Sequence, residues 1–235
     1  MEFYESHRKR LIITADDFGV SLRANRNILY LISLGKIDRV GVMTNGEFTD
    51  KELDELVRSG VKLDLHLDIL HELGDKRSKR IGAIKRMFNF FLKFLQRKIS
   101  TEKVAADWES QMQKFQELFS RDPDGINSHE HVHFFPPFFK IALKLSDKYS
   151  IPFVRFGDGI LFKNHRSVAY ILHLLKSFNR KNFGLSNSIS AESLVSLDWI
   201  DNVEKFCDNP PKDGTIEIIC HPELAEDFTK IKKYF

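Results

Sequence analysis

At 235 residues the chain has the length of one large domain or two small ones, and 42% hydrophobic against 29% charged residues is ordinary for a folded globular protein with a sizeable core. A net charge of +3 is too small to argue for a nucleic-acid partner, and two cysteines, Cys207 and Cys220, make no disulfide framework. Phenylalanine dominates the aromatics with 21 residues against two tryptophans and five tyrosines, which suggests an apolar interior or interface and no sugar-stacking platform.

The chain opens on polar "MEFYESHRKR", and the apolar run that follows, "LIITA", is too short for a secretory h-region. No window approaches the roughly 20 apolar residues of a membrane span, so the expectation is a cytoplasmic protein that binds neither membrane nor nucleic acid. Strand-length apolar runs then alternate with helical patterns. Strands are expected at Leu11–Ala15, Arg39–Met43, Val61–Leu67, Gly125–His129, Pro152–Phe156 and Thr215–Cys220, with "SNSIS", Ser186–Ser190, as a weaker seventh. Helices are expected at Leu22–Leu34, Asp50–Ser59, Ile81–Arg97, Thr101–Ser120, Pro137–Lys148, Arg166–Ser177 and Ala191–Phe206. Ser21, Ser100 or Thr101, and Ser190 with Ser193 serve as start signals.

Strands alternating with helices imply a parallel sheet with βαβ crossovers. The pattern fits an α/β, single-domain (β/α) TIM-barrel-like fold, distorted or short of eight strands, with a doubly wound open sheet as the runner-up. No linker divides residues 1–235, which read as a single catalytic domain with an inserted helical segment at about 71–123. The insertion carries a basic run and apolar residues at helical spacing: Ile81, Ile84, Phe88, Phe91, Leu92 and Leu95. A helix packed on the barrel is the plain reading. A lid or homodimer contact, or a membrane or nucleic-acid surface, are the others.

Active sites of barrels lie at the carboxyl ends of the strands, and reactive residue types collect there. The first strand ends in Asp16 and Asp17. The third carries His66, the fourth runs into "HEHVH" with His129, His131 and His133, the fifth ends in Arg155, and the last runs into His221. Each has a bland explanation. Asp-Asp before Phe-Gly suits a turn or a helix start, a histidine in an apolar strand is often a hydrogen-bonded core residue, alternate histidines suit a solvated strand face, and His221 before proline suits a turn. Parallel strands, however, bring all of them to one rim. A carboxylate with two neutral imidazoles there makes a three-ligand set for a divalent cation. Such a cation acidifies a bound water and polarises a carbonyl, with a second carboxylate to take a proton and an opposite imidazole to give one. No G-x-S-x-G elbow, Walker loop or G-x-G-x-x-G occurs, and Cys220 lacks an orienting partner for thiol chemistry.

These motifs resemble those of the YdjC-like carbohydrate deacetylase family, whose chito-oligosaccharide deacetylases remove N-acetyl groups from sugars. "LIITADDFGVSLRANRNI", "VKLDLHLDI", "NSHEHVHFFPPFF", "IPFVR" and "EIICHPE" match the family's pattern in order and spacing, from about Leu11 to Pro222. Two positions depart from it: Asn127 stands where the family usually has aspartate, and Glu223 where glycine is common. The resemblance implies a TIM-barrel-like fold and one divalent metal ion, Mg²⁺ or Zn²⁺, held by Asp17, His66 and His129. It further implies Asp16 as general base, His221 as the acid or oxyanion partner, Arg155 orienting a carboxylate or the substrate, and His131 on the substrate side, with His133 shaping the surroundings. The implied activity is removal of acetyl groups from a small-molecule N-acetylated sugar. Alternatives are a phosphoesterase or other amidohydrolase, for which basic Lys76, Arg77, Lys79 and Arg80 would suit an anionic substrate, and a non-catalytic sugar- or metal-binding relative.

Overall fold

A computed structural model describes residues 10–69, 96, 99–157, 167–210 and 214–235. The expected helix Ile81–Arg97, apart from Gln96, and the basic positions 76–80 lie outside the described residues. In chain order the elements are β1 (Leu11–Phe18), α1 (Leu22–Ser33), β2 (Arg39–Val42), α2 (Asp50–Arg58), β3 (Lys62–Leu67), α3 (Thr101–Phe119) and β4 (Gly125–Ser128). A 3₁₀ turn over His129–Phe134 follows, then α4 (Pro136–Lys148), β5 (Phe153–Val154), α5 (Ser167–Gly184) and β6 (Ser193–Ser196). After a second 3₁₀ turn, Leu197–Trp199, come α6 (Val203–Asp208), β7 (Ile216–Cys220) and α7 (Ala225–Tyr234).

Among the described residues seven strands form one sheet, all parallel, in the order β5-β4-β3-β2-β1-β7-β6. The sheet curls as a TIM-barrel-like fold, distorted and with seven strands. Among the described residues its two outer strands are joined by no ladder. A single bridge instead pairs Phe153 with Ile189, four residues ahead of β6. The "SNSIS" segment therefore contributes one bridge rather than a strand. Parallel connection places every strand's carboxyl end on one rim, and that rim is where the reactive residues stand.

Side chains alternate across the strands except at the carboxyl end of β1, where the register slips. One face carries Ile13, Ala15, Val40, Val42, Leu63, Leu65, Ile126, Val154, Ile216 and Ile218, all essentially buried. Helices cover that face with apolar positions at helical spacing, as in α3 with Val104, Trp108, Met112, Phe115 and Phe119. Phe134, Phe139, Phe156 and Phe183 pack together, with Phe156 and Phe183 stacked at 4.5 Å, which uses part of the phenylalanine surplus. The opposite, inner face carries Thr14, Asp16, Arg39, Asp64, His66, Asn127, Arg155 and Glu217, joined by hydrogen bonds to one another. Among the described residues, no helix is long and apolar enough to cross a membrane.

Helix starts follow local chemistry. Ser21 Oγ accepts from the Ala24 N–H and Ser100 Oγ from the Lys103 N–H, while Thr49 and Glu52 form a reciprocal capping box. Two expectations fail. The segment 191–206 is not one helix: Ser193–Ser196 is fully buried and pairs with Ile216–Ile219, and only Val203–Asp208 is helical. A short Leu-Val run surrounded by serine is compatible with either state, and the neighbouring strand decides it. Nor do the three histidines share a strand face. β4 stops at Ser128, and Glu130 and His131 adopt left-handed backbone, φ 52° and 56°, so the chain turns back on itself. Ser128 Oγ closes that turn, accepting from the His133 N–H at 3.0 Å.

Candidate metal centre

Adjacent residues of a strand ordinarily point to opposite faces, yet Asp16 and Asp17 both reach His66. The cause is a bulge. The β1–β2 register slips between Ala15 and Phe18, and Asp17 takes a left-handed φ of 70°, which re-aims its carboxylate. Gly19, at φ 101°, completes the bend where an added Cβ would stand 2.9 Å from the Met43 carbonyl, and its N–H donates to Asn25 Oδ1 at 2.7 Å.

Asp17 Oδ1 lies 3.1 Å from His66 Nε2 and 2.8 Å from His129 Nδ1. The three ligand atoms fall within 4.8 Å of one another. His129 reaches this point because the 3₁₀ turn begins directly after β4. One carboxylate and two imidazoles with converging atoms suit a divalent cation. The charge on the inner face and rim agrees: among the described residues there, Asp16, Asp17, Asp64 and Glu217 face Arg39 and Arg155, an excess of two negative charges when the imidazoles are neutral. Burial raises the Asp17 carboxyl, but the His129 charge and hydrogen bonds from both histidines outweigh it and hold it well below the usual range. Burial likewise lowers His129, and the charge of Asp17, its hydrogen bond and nearby Asp68 override it, raising the imidazole to about 9.

Asp16 is 2% exposed and adjoins the set, its Oδ1 4.0 Å from His66 Nδ1. Arg155 grips it bidentately, Nη1 donating to Oδ2 at 2.6 Å and Nη2 to Oδ1 at 2.9 Å. Burial raises this carboxyl, yet the Arg155 and His66 charges bring it down to about 2. Arg155 also donates through Nε to Glu217 Oε1 at 2.9 Å, which accepts the Thr14 hydroxyl as well. Arg155 has no exposed surface, and its guanidinium faces the Asp16 and Glu217 carboxylates.

His221 follows β7 with its side chain 35% exposed. Its backbone N–H donates to Asp227 Oδ2 at 2.8 Å, and the same oxygen lies 3.9 Å from Nδ1. Asp227, on α7, is raised mainly by burial. Two further contacts brace this corner: Ser21 Oγ donates to Glu223 Oε1 at 3.1 Å, and Asn27 Nδ2 to the Pro222 carbonyl at 2.7 Å.

The remaining histidines part company. His133 is fully buried between Ser128 Oγ at 2.6 Å and the Arg155 carbonyl at 3.0 Å, and burial lowers it to about 3. His131 is half-buried beside Phe134; burial, then the charges of Arg155 and His133, push it well below its ordinary value. Among the described residues its buried Nδ1 has no hydrogen-bond partner. Sequence reasoning missed Arg39, Asp64, Glu217, Thr14 and Asp227 as members of this constellation. Asp64 carried a legible signal, since Lys62, Asp64 and His66 alternate with leucines along β3; Thr14, Arg39 and Glu217 are single polar residues in apolar strands, and Asp227 carried none.

Comparison with known proteins shows the family. The sequence model of the YdjC-like protein family matches residues 10–233. A protein of Halalkalibacterium halodurans named carbohydrate deacetylase is 26% identical over 224 residues, covering 93% of this chain and 86% of that one. A chitooligosaccharide deacetylase of Escherichia fergusonii is 25% identical over 229 residues, covering 95% and 85%. In fold, the chain resembles the crystal structure of an Enterococcus faecalis protein provisionally named for cellobiose-phosphate cleavage, with a TM-score of 0.63 at 18% identity, over 96% of this chain and 84% of that one. With the family match running through every strand of the sheet, the chain belongs to the YdjC-like protein family.

Proposed function

We propose that this chain is a metal-dependent hydrolase that removes the acetyl group from an N-acetylated sugar. The observation that carries the reading is the meeting of Asp17, His66 and His129 on the carboxyl rim, with Asp16 beside them and His221 close enough for its charge to act on both aspartates. Relatives named carbohydrate and chitooligosaccharide deacetylases supply the substrate class.

Asp17 Oδ1, His66 Nε2 and His129 Nδ1 would hold one divalent cation; two imidazoles favour Zn²⁺, and Mg²⁺ is the alternative. When bound, the cation supplies Lewis-acid polarisation of the acyl carbonyl and a more acidic water. Asp16, kept ionised and immobile by Arg155, takes the proton of the attacking water. His221, the exposed imidazole of the group, gives a proton to the departing amine nitrogen, and Asp227 anchors the backbone that carries it. Water adds to the acyl carbon, the C–N bond breaks, and acetate and amine leave. His131 borders the substrate.

The test is acetate release from N-acetylglucosamine oligomers by protein loaded with Zn²⁺, Mg²⁺, Mn²⁺ or Co²⁺, beside a phosphoester panel. Release from an N-acetyl sugar is expected. Full metal occupancy with none, or turnover of phosphoesters alone, overturns the reading.

A further inference from the structure

A chain of buried polar groups runs across β2, β3 and β4 on the inner face and ends on His66. Arg39 Nε donates to Asp64 Oδ2 at 2.9 Å, and its Nη2 pairs with Asp64 Oδ1. Asn127 Nδ2 reaches Asp64 Oδ2 at 3.4 Å, and Asn127 Oδ1 lies 2.5 Å from His66 Nδ1. Asp64 and Asn127 are wholly buried and His66 is 1% exposed, so solvent cannot substitute for the links from Asp64 through Asn127 to His66. Close approach is made possible by two glycines. A Cβ at Gly125 would stand 2.6 Å from both Arg39 Nη2 and Asp64 Oδ1, and one at Gly41 3.0 Å from His66 Nδ1.

The order of donors and acceptors along this chain has a consequence at the metal centre. Both Asp64 oxygens accept from the Arg39 guanidinium, so the carboxylate meets Asn127 as an acceptor and the amide turns its NH₂ toward it. Its carbonyl oxygen then faces His66, and an acceptor at Nδ1 requires a proton there. The neutral ring, with its one N–H on Nδ1, presents a bare lone pair at Nε2, the atom 3.1 Å from Asp17 Oδ1. Were the amide reversed, the proton would move to Nε2 and the ring could not ligate through it. We propose that Asp64, held by Arg39 and acting through the Asn127 amide, selects the His66 tautomer that ligates the cation. This rests on the metal reading above. It makes Arg39, Asp64 and Asn127 positioning residues with no contact to substrate.

The experiment compares Zn²⁺ affinity, by competition with a chromophoric chelator, and the His66 ring nitrogens, by ¹⁵N NMR of the Zn²⁺-loaded protein. Wild type should show an Nδ1–H with metal on Nε2. Asp64→Asn frees the amide to reverse, and Zn²⁺ affinity should fall by about 10–100-fold with loss of the Nδ1–H signal. Because Asp64→Asn leaves Arg39 without a carboxylate and endangers folding, the charge-conserving swap Asp64→Asn/Asn127→Asp is measured beside it. The swap again sets an acceptor against Nδ1 and should restore both affinity and signal. Wild-type affinity with an intact Nδ1–H in Asp64→Asn, or failure of the swap to bind as wild type does, overturns the relay while leaving the metal centre standing. A wild type that takes up no Zn²⁺ on His66 overturns the metal reading itself.

Discussion

Two of the histidines show how one residue type takes different work from its surroundings. His221 keeps its side chain 35% exposed on the rim, whereas His133 is buried and bonded at both ring nitrogens. His221→Gln should lower kcat by about 10²–10⁴-fold, the usual contribution of a general acid, without changing metal stoichiometry. Unchanged kcat for sugar deacetylation would remove His221 from the proton path. His133, at about 3 when folded, stays neutral where the unfolded chain, near 6.5, binds a proton. A depressed histidine of this kind adds stability above the unfolded value, and that stability drains away as pH falls from about 6.5 toward 3. His133→Gln should therefore flatten the dependence of unfolding free energy on pH by about one proton across that window, read from denaturant titrations. Equal slopes would contradict a buried neutral ring. Alternate spacing by itself gives His129, His131 and His133 no difference; the family resemblance assigns them different roles, and the left-handed turn at Glu130 and His131 is what sends them in different directions.

Elements were read most easily where the chain signals locally. Apolar runs identify β1, β2, β3 and β7, and Ser21 and Ser100 mark the starts of α1 and α3 as expected from their side-chain oxygens. β6 escaped because Ser193–Ser196 is too short to show a period, and its partner β7 supplies the hydrogen bonds that make it a strand. The bulge in β1 escaped for a related reason: "ADDFG" is compatible with a plain turn, and its register slip exists only relative to β2. Gly41 in β2 belongs to this scale as well. It reads as a weak point in a strand, yet a Cβ there would come within 2.9 Å of Asp16 Oδ1 and 3.0 Å of His66 Nδ1. Gly41→Ala should leave the circular dichroism of the protein unchanged and weaken metal binding, with a fall in kcat/KM on the order of 10²-fold from a displacement near 1 Å. Wild-type affinity in that variant would mean the site has room to spare.

Across the whole molecule, the inner face of the sheet concentrates charge to a degree that folding alone does not favour. Four carboxylates face two guanidiniums, and the excess lies around Asp17. A divalent cation relieves that excess and binds only the folded chain, so it should raise stability by about 2.7 kcal/mol at free metal near 100 times Kd. For a chain of this size that is roughly 5–10 °C in Tm. Chelation should reverse the shift, and His66→Ala should abolish it; a Tm indifferent to chelator would argue against a resident cation. The amino-acid sequence by itself determined the alternation of strand and helix, and through it the parallel sheet whose carboxyl ends gather Asp16, Asp17, His66, His129 and His221 on one rim. These features are written in periods of two and of three to four residues, which neighbours along the chain suffice to express. The tertiary structure alone decided which way Asp17 points, that Arg155 closes on Asp16 rather than on a ligand, and that Asp64, Asn127 and His66 line up as donors and acceptors. Those outcomes depend on hydrogen bonds between strands far apart in the chain, formed where water is excluded, and no local pattern encodes them.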